Sequence, residues 1–148
     1  MRGWLVPVVV SREVLTSMRD RPVGRVWLAV DESRGITSFD DASRAVGLRP
    51  LSDSWVVVDA ERAARIITGL LHRDLAYNAE IMPLLPAQAL AAEFVSAFGP
   101  HVQCATNTEG LPHESPKAWA PATDATFDSG VAILGDSVAG IYWVADED

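Results

Sequence analysis

Two apolar runs late in the chain, Val131 to Leu134 and Ala139 to Val144, are separated only by Gly135-Asp136-Ser137-Val138. Aliphatic and β-branched runs flanking a short gap of turn-forming residues predict a β-hairpin. This end of the chain is thereby committed to antiparallel sheet, and the remaining elements must be arranged around it.

Upstream, the pattern alternates between strands and helices. Trp4 to Val10 reads as a buried strand, with Pro7 marking an edge or a bulge. Ser11 can cap a short helix running to about Asp20, and Val26 to Val30 reads as a second strand. Ser38-Phe39-Asp40-Asp41 has capping-box spacing and opens a short helix that Gly47 stops. Trp55 to Val58 is predicted as a short buried strand, and Asp59 caps the helix that follows. In that helix Ala63, Ile66, Ile67, Leu70 and Leu71 fall on one face. Pro86 suits the first turn of a fourth helix, whose stripe is Leu90, Ala91, Phe94, Val95 and Phe98 and which Gly99-Pro100 ends. His101 to Ala105 reads as a short strand, and Thr106 to Ala125 as a long loop. The expected fold is α+β: a single domain over residues 1–148, with a mixed or antiparallel sheet, about four helices and the C-terminal hairpin.

A chain of 148 residues with 49% hydrophobic content can bury a core without metal or disulfide staples. The single Cys104 forms no internal bridge, which favours a reducing, cytoplasmic setting. No apolar run approaches the roughly 20 residues of a membrane span. Charge is unevenly distributed. Residues 1–75 carry 11 basic and 10 acidic side chains, whereas residues 76–148 carry only Lys117 against 10 acids. Nucleic-acid binding needs clustered Lys and Arg, so neither that function nor a membrane partner is expected; an acidic face favours basic proteins or serves solubility.

Motifs for chemistry are mostly missing. The chain has no G-x-G-x-x-G, no P-loop and no G-x-S-x-G. His72, His101 and His113 lie too far apart for a helical metal pair, and Cys104, Glu109, His113 and Glu114 read as loop polar residues and a buried small hydrophobe rather than a metal site. Asp128-Ser129-Gly130 matches the D-[ST]-G of aspartic proteases, but that family is nearly all β. An Asx-type turn before Val131 explains the motif here. No cofactor and no catalytic residue is expected.

The segment Trp119-Ala120-Pro121-Ala122-Thr123-Asp124-Ala125-Thr126-Phe127-Asp128-Ser129-Gly130-Val131, with Gly140-Ile141-Tyr142-Trp143-Val144-Ala145-Asp146-Glu147-Asp148, is similar to C-terminal sequences of immunity proteins of bacterial polymorphic and contact-dependent growth inhibition toxin systems. The resemblance covers about the last 30 residues. It implies a small cytoplasmic protein that binds one cognate toxin domain and blocks it. A toxin acting on nucleic acid is basic where it meets phosphate, so an acidic inhibitor suits a nuclease. On this reading the partner-binding residues are Glu109, Glu114, Trp119, Asp124, Asp136, Asp146, Glu147 and Asp148. Trp119 is either an interface anchor or a lid, and the terminal acids either bind or form a solvated tail. The alternatives are a small hydrolase with its site around Asp128, His113 and Glu114, and a non-catalytic adaptor domain.

Overall fold

The computed structural model describes residues 10–111 and 119–147. The elements in chain order are α1 (Arg12–Arg19), β1 (Arg25–Asp31), α2 (Phe39–Ala45), β2 (Val56–Val58), α3 (Ala60–His72), α4 (Leu84–Ser96), β3 (Gln103–Thr106), β4 (Phe127–Leu134) and β5 (Ala139–Asp146). The helix starts follow their capping residues. Ser11 Oγ accepts from Val14 N–H, Ser38 Oγ from Asp41 N–H and Asp59 Oδ1 from Arg62 N–H, each satisfying a donor that the first turn leaves unpaired. Pro86 lies in the first turn of α4, where its missing N–H removes no helical hydrogen bond.

The five strands form one sheet in the order β1-β5-β4-β3-β2, with every neighbouring pair antiparallel. Alternate residues point to opposite faces and feed two separate cores. One face carries Val131, Ile133, Tyr142, Val144 and Cys104, packed against Met18, Ile66, Ile67, Leu70 and Phe94 from α1, α3 and α4. The other carries Ala132, Ile141 and Trp143, covered by Ala42 of α2, by Leu48 and Leu51, and by Ala122. Trp27 and Trp55 pack against this second core, with the Trp55 and Trp143 rings edge to face at 5.8 Å. The sheet is therefore sandwiched between a three-helix layer and a thinner layer of one short helix and loops. All eight residues of β5 are buried, as a strand covered on both faces requires.

Several expectations need correction. The Trp55 to Val58 segment does form a strand, but at the sheet edge rather than buried. It pairs only with β3 and leaves Val57 72% exposed. The hairpin strands extend beyond their apolar runs, so Asp128-Ser129-Gly130 lies within β4 and Asp146 ends β5. Asp128 is therefore not at a turn before the strand, and Asp146 is not part of a tail. The expected Trp4 to Val10 strand lies outside the described residues except for Val10, which is buried against the helix-side core. Among the described residues, no helix is long and apolar enough to cross a membrane.

Candidate partner-binding surface

The end of the sheet where β5 stops is organised by a buried ion pair. Arg21 donates from Nη1 to Asp146 Oδ1 at 2.7 Å and from Nη2 to Asp146 Oδ2 at 2.8 Å, and both side chains are almost fully buried. The guanidinium also donates to the Leu70 carbonyl at 2.7 Å and the Val23 carbonyl at 2.9 Å, while Asp146 Oδ2 accepts from Leu75 N–H at 2.7 Å. Four segments thus meet at one fork: the α1–β1 connection, the last turn of α3, the loop after it and the end of β5. Arg suits this position because its planar donors match a carboxylate bidentately and retain further N–H groups for carbonyls. Gly24 closes the node at φ +71°, where a Cβ would strike Asp146 Oδ1 and the Ala145 carbonyl. Asp146 is therefore an internal anchor and not a surface acid that meets a partner.

A second buried carboxylate organises the loop that enters β4. Asp128 Oδ1 accepts from Ala122 N–H and from Trp143 Nε1–H, both at 3.0 Å. Its Oδ2 accepts from Thr123 N–H at 3.1 Å and Thr123 Oγ1–H at 2.8 Å. Asn107 continues the network, donating to the Ala120 carbonyl at 3.0 Å and the Asp128 carbonyl at 2.9 Å, and accepting from Ser129 Oγ–H at 2.9 Å. Gly130 is required because a Cβ would strike the Tyr142 carbonyl and the Trp143 ring. The D-S-G motif is thus accounted for by packing. Asp128 is buried with both oxygens engaged. The other two residues of the hydrolase alternative, His113 and Glu114, lie outside the described residues. Burial pushes the Cys104 thiol up to about 11, with Asp59 adding to the shift, so it is protonated near neutral pH and behaves as a small core residue. Among the described residues no group of three His, Cys, Asp or Glu side chains is placed to hold a metal ion.

Held by these two anchors, the same end presents apolar groups outward. Trp119 is 42% exposed and stacks on Phe127, with centroids 6.2 Å apart and planes 26° from parallel. It is both a partial lid over Phe127 and an open aromatic face. Around it stand Glu109, next to the Thr108↔Trp119 bridge, and Glu147, which accepts from Thr126 Oγ1–H at 2.7 Å. Asp124 is exposed but receives Arg49 Nη2–H at 2.8 Å, and Arg25 lines the same shallow groove, so this acid is partly neutralised.

Asp136 lies at the opposite end of the sheet, in the hairpin turn. An eight-residue strand places it roughly 25 Å from the Trp119 end. There it lines an open cleft of about 730 Å³ together with Asp31, Arg34, Thr37, His101 and Gln103. The eight residues expected to meet a partner are thus divided. Glu109, Trp119, Asp124 and Glu147 cluster, Asp136 is remote, Asp146 is buried, and Glu114 and Asp148 lie outside the described residues. Sequence reasoning missed Tyr77 (70% exposed), Leu84 and Leu85 (76% exposed), which lie at the Trp119 end in and just after the α3–α4 loop. The available signal was the unbroken apolar run Ile81-Met82-Pro83-Leu84-Leu85-Pro86. Comparison of the chain with family models, with curated proteins and with solved structures returned no match.

Proposed function

We propose that this chain is a binding protein of the immunity type, which neutralises a cognate bacterial toxin domain by stoichiometric occlusion and performs no chemistry of its own. The observation that carries this reading is the half-exposed Trp119 held on Phe127 with Glu109 and Glu147 beside it. A rigid aromatic face bordered by acids suits a basic protein surface, since aromatic anchors dominate interface energetics while rim charges set orientation and encounter rate. The similarity of residues 119–131 and 140–148 to immunity-protein C-termini points the same way. A basic nuclease domain is the toxin class that fits best, because blocking its phosphate-binding surface abolishes activity.

The test begins at the gene: the adjacent reading frame is expected to encode a toxin domain, which is then co-expressed with the chain to score protection and isolate the complex. A one-to-one complex and rescued growth are the expected results, with both lost in Trp119→Ala. Protection that persists in Trp119→Ala places the interface elsewhere, and absence of any complex with a demonstrably active toxin rejects the reading.

A further inference from the structure

The two edges of the sheet are unequal. β2 is three residues long, whereas β1 runs over seven, in unbroken register with β5 and without Pro, Gly or a bulge. Such devices normally blunt a long edge, because its unpaired N–H and C=O groups recruit another strand. Which groups of β1 are unpaired follows from the hairpin. Gly135 N–H donates to the Val138 carbonyl at 2.9 Å, so these two form a hydrogen-bonded pair, and every second pair along β4–β5 is one as well. Gly140, Tyr142 and Val144 therefore bond to β4, while Ala139, Ile141, Trp143 and Ala145 turn their backbone groups to β1 and meet Asp31, Ala29, Trp27 and Arg25. The N–H and C=O groups of Val26, Leu28 and Val30 point away from the sheet. Among the described residues they have no hydrogen-bond partner.

We infer that this edge seats a second copy of the chain, with the two β1 strands antiparallel about a two-fold axis at Leu28 and the two sheets joined into one. The strand is complementary to itself in that register. Arg25 faces the partner's Asp31, Val26 the partner's Val30, Trp27 the partner's Ala29, and Leu28 the partner's Leu28. The outward-pointing residues then meet one another, giving about six interchain hydrogen bonds. Trp27 and the partner's Ala29 fall in a non-hydrogen-bonded pair, where side chains come closest, and a large side chain lies against a small one. Arg25 lies over the Trp27 ring at 5.1 Å on the face that also carries Asp31, so an opposite-charge pair closes each end of the joint. Neighbouring registers that keep the outward groups opposed are worse. Centring on Trp27 sets two indoles against each other and leaves Arg25 facing the partner's Ala29; centring on Ala29 sets Trp27 against the partner's Asp31. The other charges beside the edge come in opposite-sign pairs: Arg19 next to Asp20, Glu32 near Arg34, Arg44 with Asp41 at 3.6 Å and Arg49 with Asp124 at 2.8 Å. Arg25 and Asp31 therefore decide the match. A second copy supplies both signs in the required order, whereas a uniformly acidic or basic peptide supplies one. The inference is independent of the proposed function.

Sedimentation velocity of the full chain over a series of concentrations tests it. The parent is expected to move from the mass of one chain to twice that mass as it is concentrated. Arg25→Glu and Asp31→Lys each set like charges opposite one another at both ends of the joint, and each is expected to weaken self-association at least about tenfold. Mixing the two folded variants restores both opposite-charge pairs, so the mixture is expected to dimerise like the parent. A parent that stays monomeric overturns the inference, as do a dimer indifferent to either substitution and a mixture that stays monomeric. Asp31 also ties down the loop after β1 through Ser33 and Gly35. Should its variant fail to fold, amide exchange of the parent decides: the Val26, Leu28 and Val30 N–H groups are expected to exchange several-fold more slowly as the chain is concentrated, and to slow more than those of Trp27 and Ala29. Exchange of these three amides that is independent of concentration overturns the inference, and strong protection of them in a monomer assigns the edge to another segment of the same chain.

Discussion

The two ends of the sheet are built from the same strands and solve different problems. At the hairpin end, β4 and β5 are joined by a short turn, and the cleft beside it is bordered by charged and polar groups in contact with water. At the other end several long connections converge, and their backbone polar groups are gathered by Asp128 and Asp146. Asp31 and Asp136 border the cleft at the first, whereas Asp128 and Asp146 point inward at the second. The consequence is counter-intuitive: the end containing most of the internal charge is the one that exposes apolar side chains, because buried charge can fix a loop and leave its Tyr or Leu outside. Counting acids along the chain therefore overstates the surface charge near Trp119, since two of the ten in residues 76–148 are structural.

The sharpest way to break this contrast is Asp146→Ala, which leaves the Arg21 guanidinium buried without a counter-charge. A loss of about 3–5 kcal/mol is expected, read from the urea midpoint. Asp136→Asn at the hairpin turn should stay within about 0.5 kcal/mol of the parent. If both variants melt alike, the internal-anchor role of Asp146 is wrong. Next in size is Asp128→Ala, which strands the Ala122, Thr123 and Trp143 donors and should cost about 1–3 kcal/mol. A change in near-ultraviolet circular dichroism from Trp143 should accompany it. Asp124→Asn removes an exposed ion pair with Arg49 and should change stability by at most about 1 kcal/mol, fading further in high salt.

The smallest effect concerns acid pH at the hairpin end. The Ser33 hydroxyl and backbone N–H, with Gly35 N–H, hold the Asp31 carboxyl below its ordinary value of 3.8. Its folded-state pKa is therefore below its unfolded one. The associated stabilisation is complete above about pH 3.8 and is lost as pH falls through the lower folded value. Asp31→Asn should flatten the fall in urea midpoint between pH 4 and pH 2.5 slightly; an unchanged slope would show that these hydrogen bonds do not persist in solution.

The sequence was most readable where the determining interactions are local. Ser11, Ser38 and Asp59 cap their helices through the first-turn N–H groups that such residues favour, and the α3 stripe from Ala63 to Leu71 is buried as its spacing predicts. What escaped depends on distant residues. Asp146 is polar at the end of an apolar run and resembles the start of a tail. Its partners are Arg21, 125 positions earlier, Leu75 N–H and, across the β4–β5 pair, Phe127. Asp128 likewise reads as a turn residue until Trp143 and the Ala122-Thr123 backbone supply its donors. Val57 is apolar like Val56 and Val58, and local pattern cannot tell an edge strand from a central one. The proposed binding surface was legible in part: Trp119 stood out in a polar loop, whereas Asp146, expected beside it, is buried.

The strand order also constrains how the chain is made. Among the described strands β5 is the last in sequence, yet it lies between β1 and β4. During synthesis β1 emerges early and then waits for on the order of 100 residues, about 10 s at ordinary translation rates, before β5, its one partner among the described strands, exists. Until then the nascent chain exposes Val26, Leu28 and Val30 next to an unpaired strand edge, which is the condition chaperones recognise. A chain that ends before Ala139 would therefore lack both the strand that joins β1 to β4 and the Tyr142 and Val144 side chains on which the helices pack.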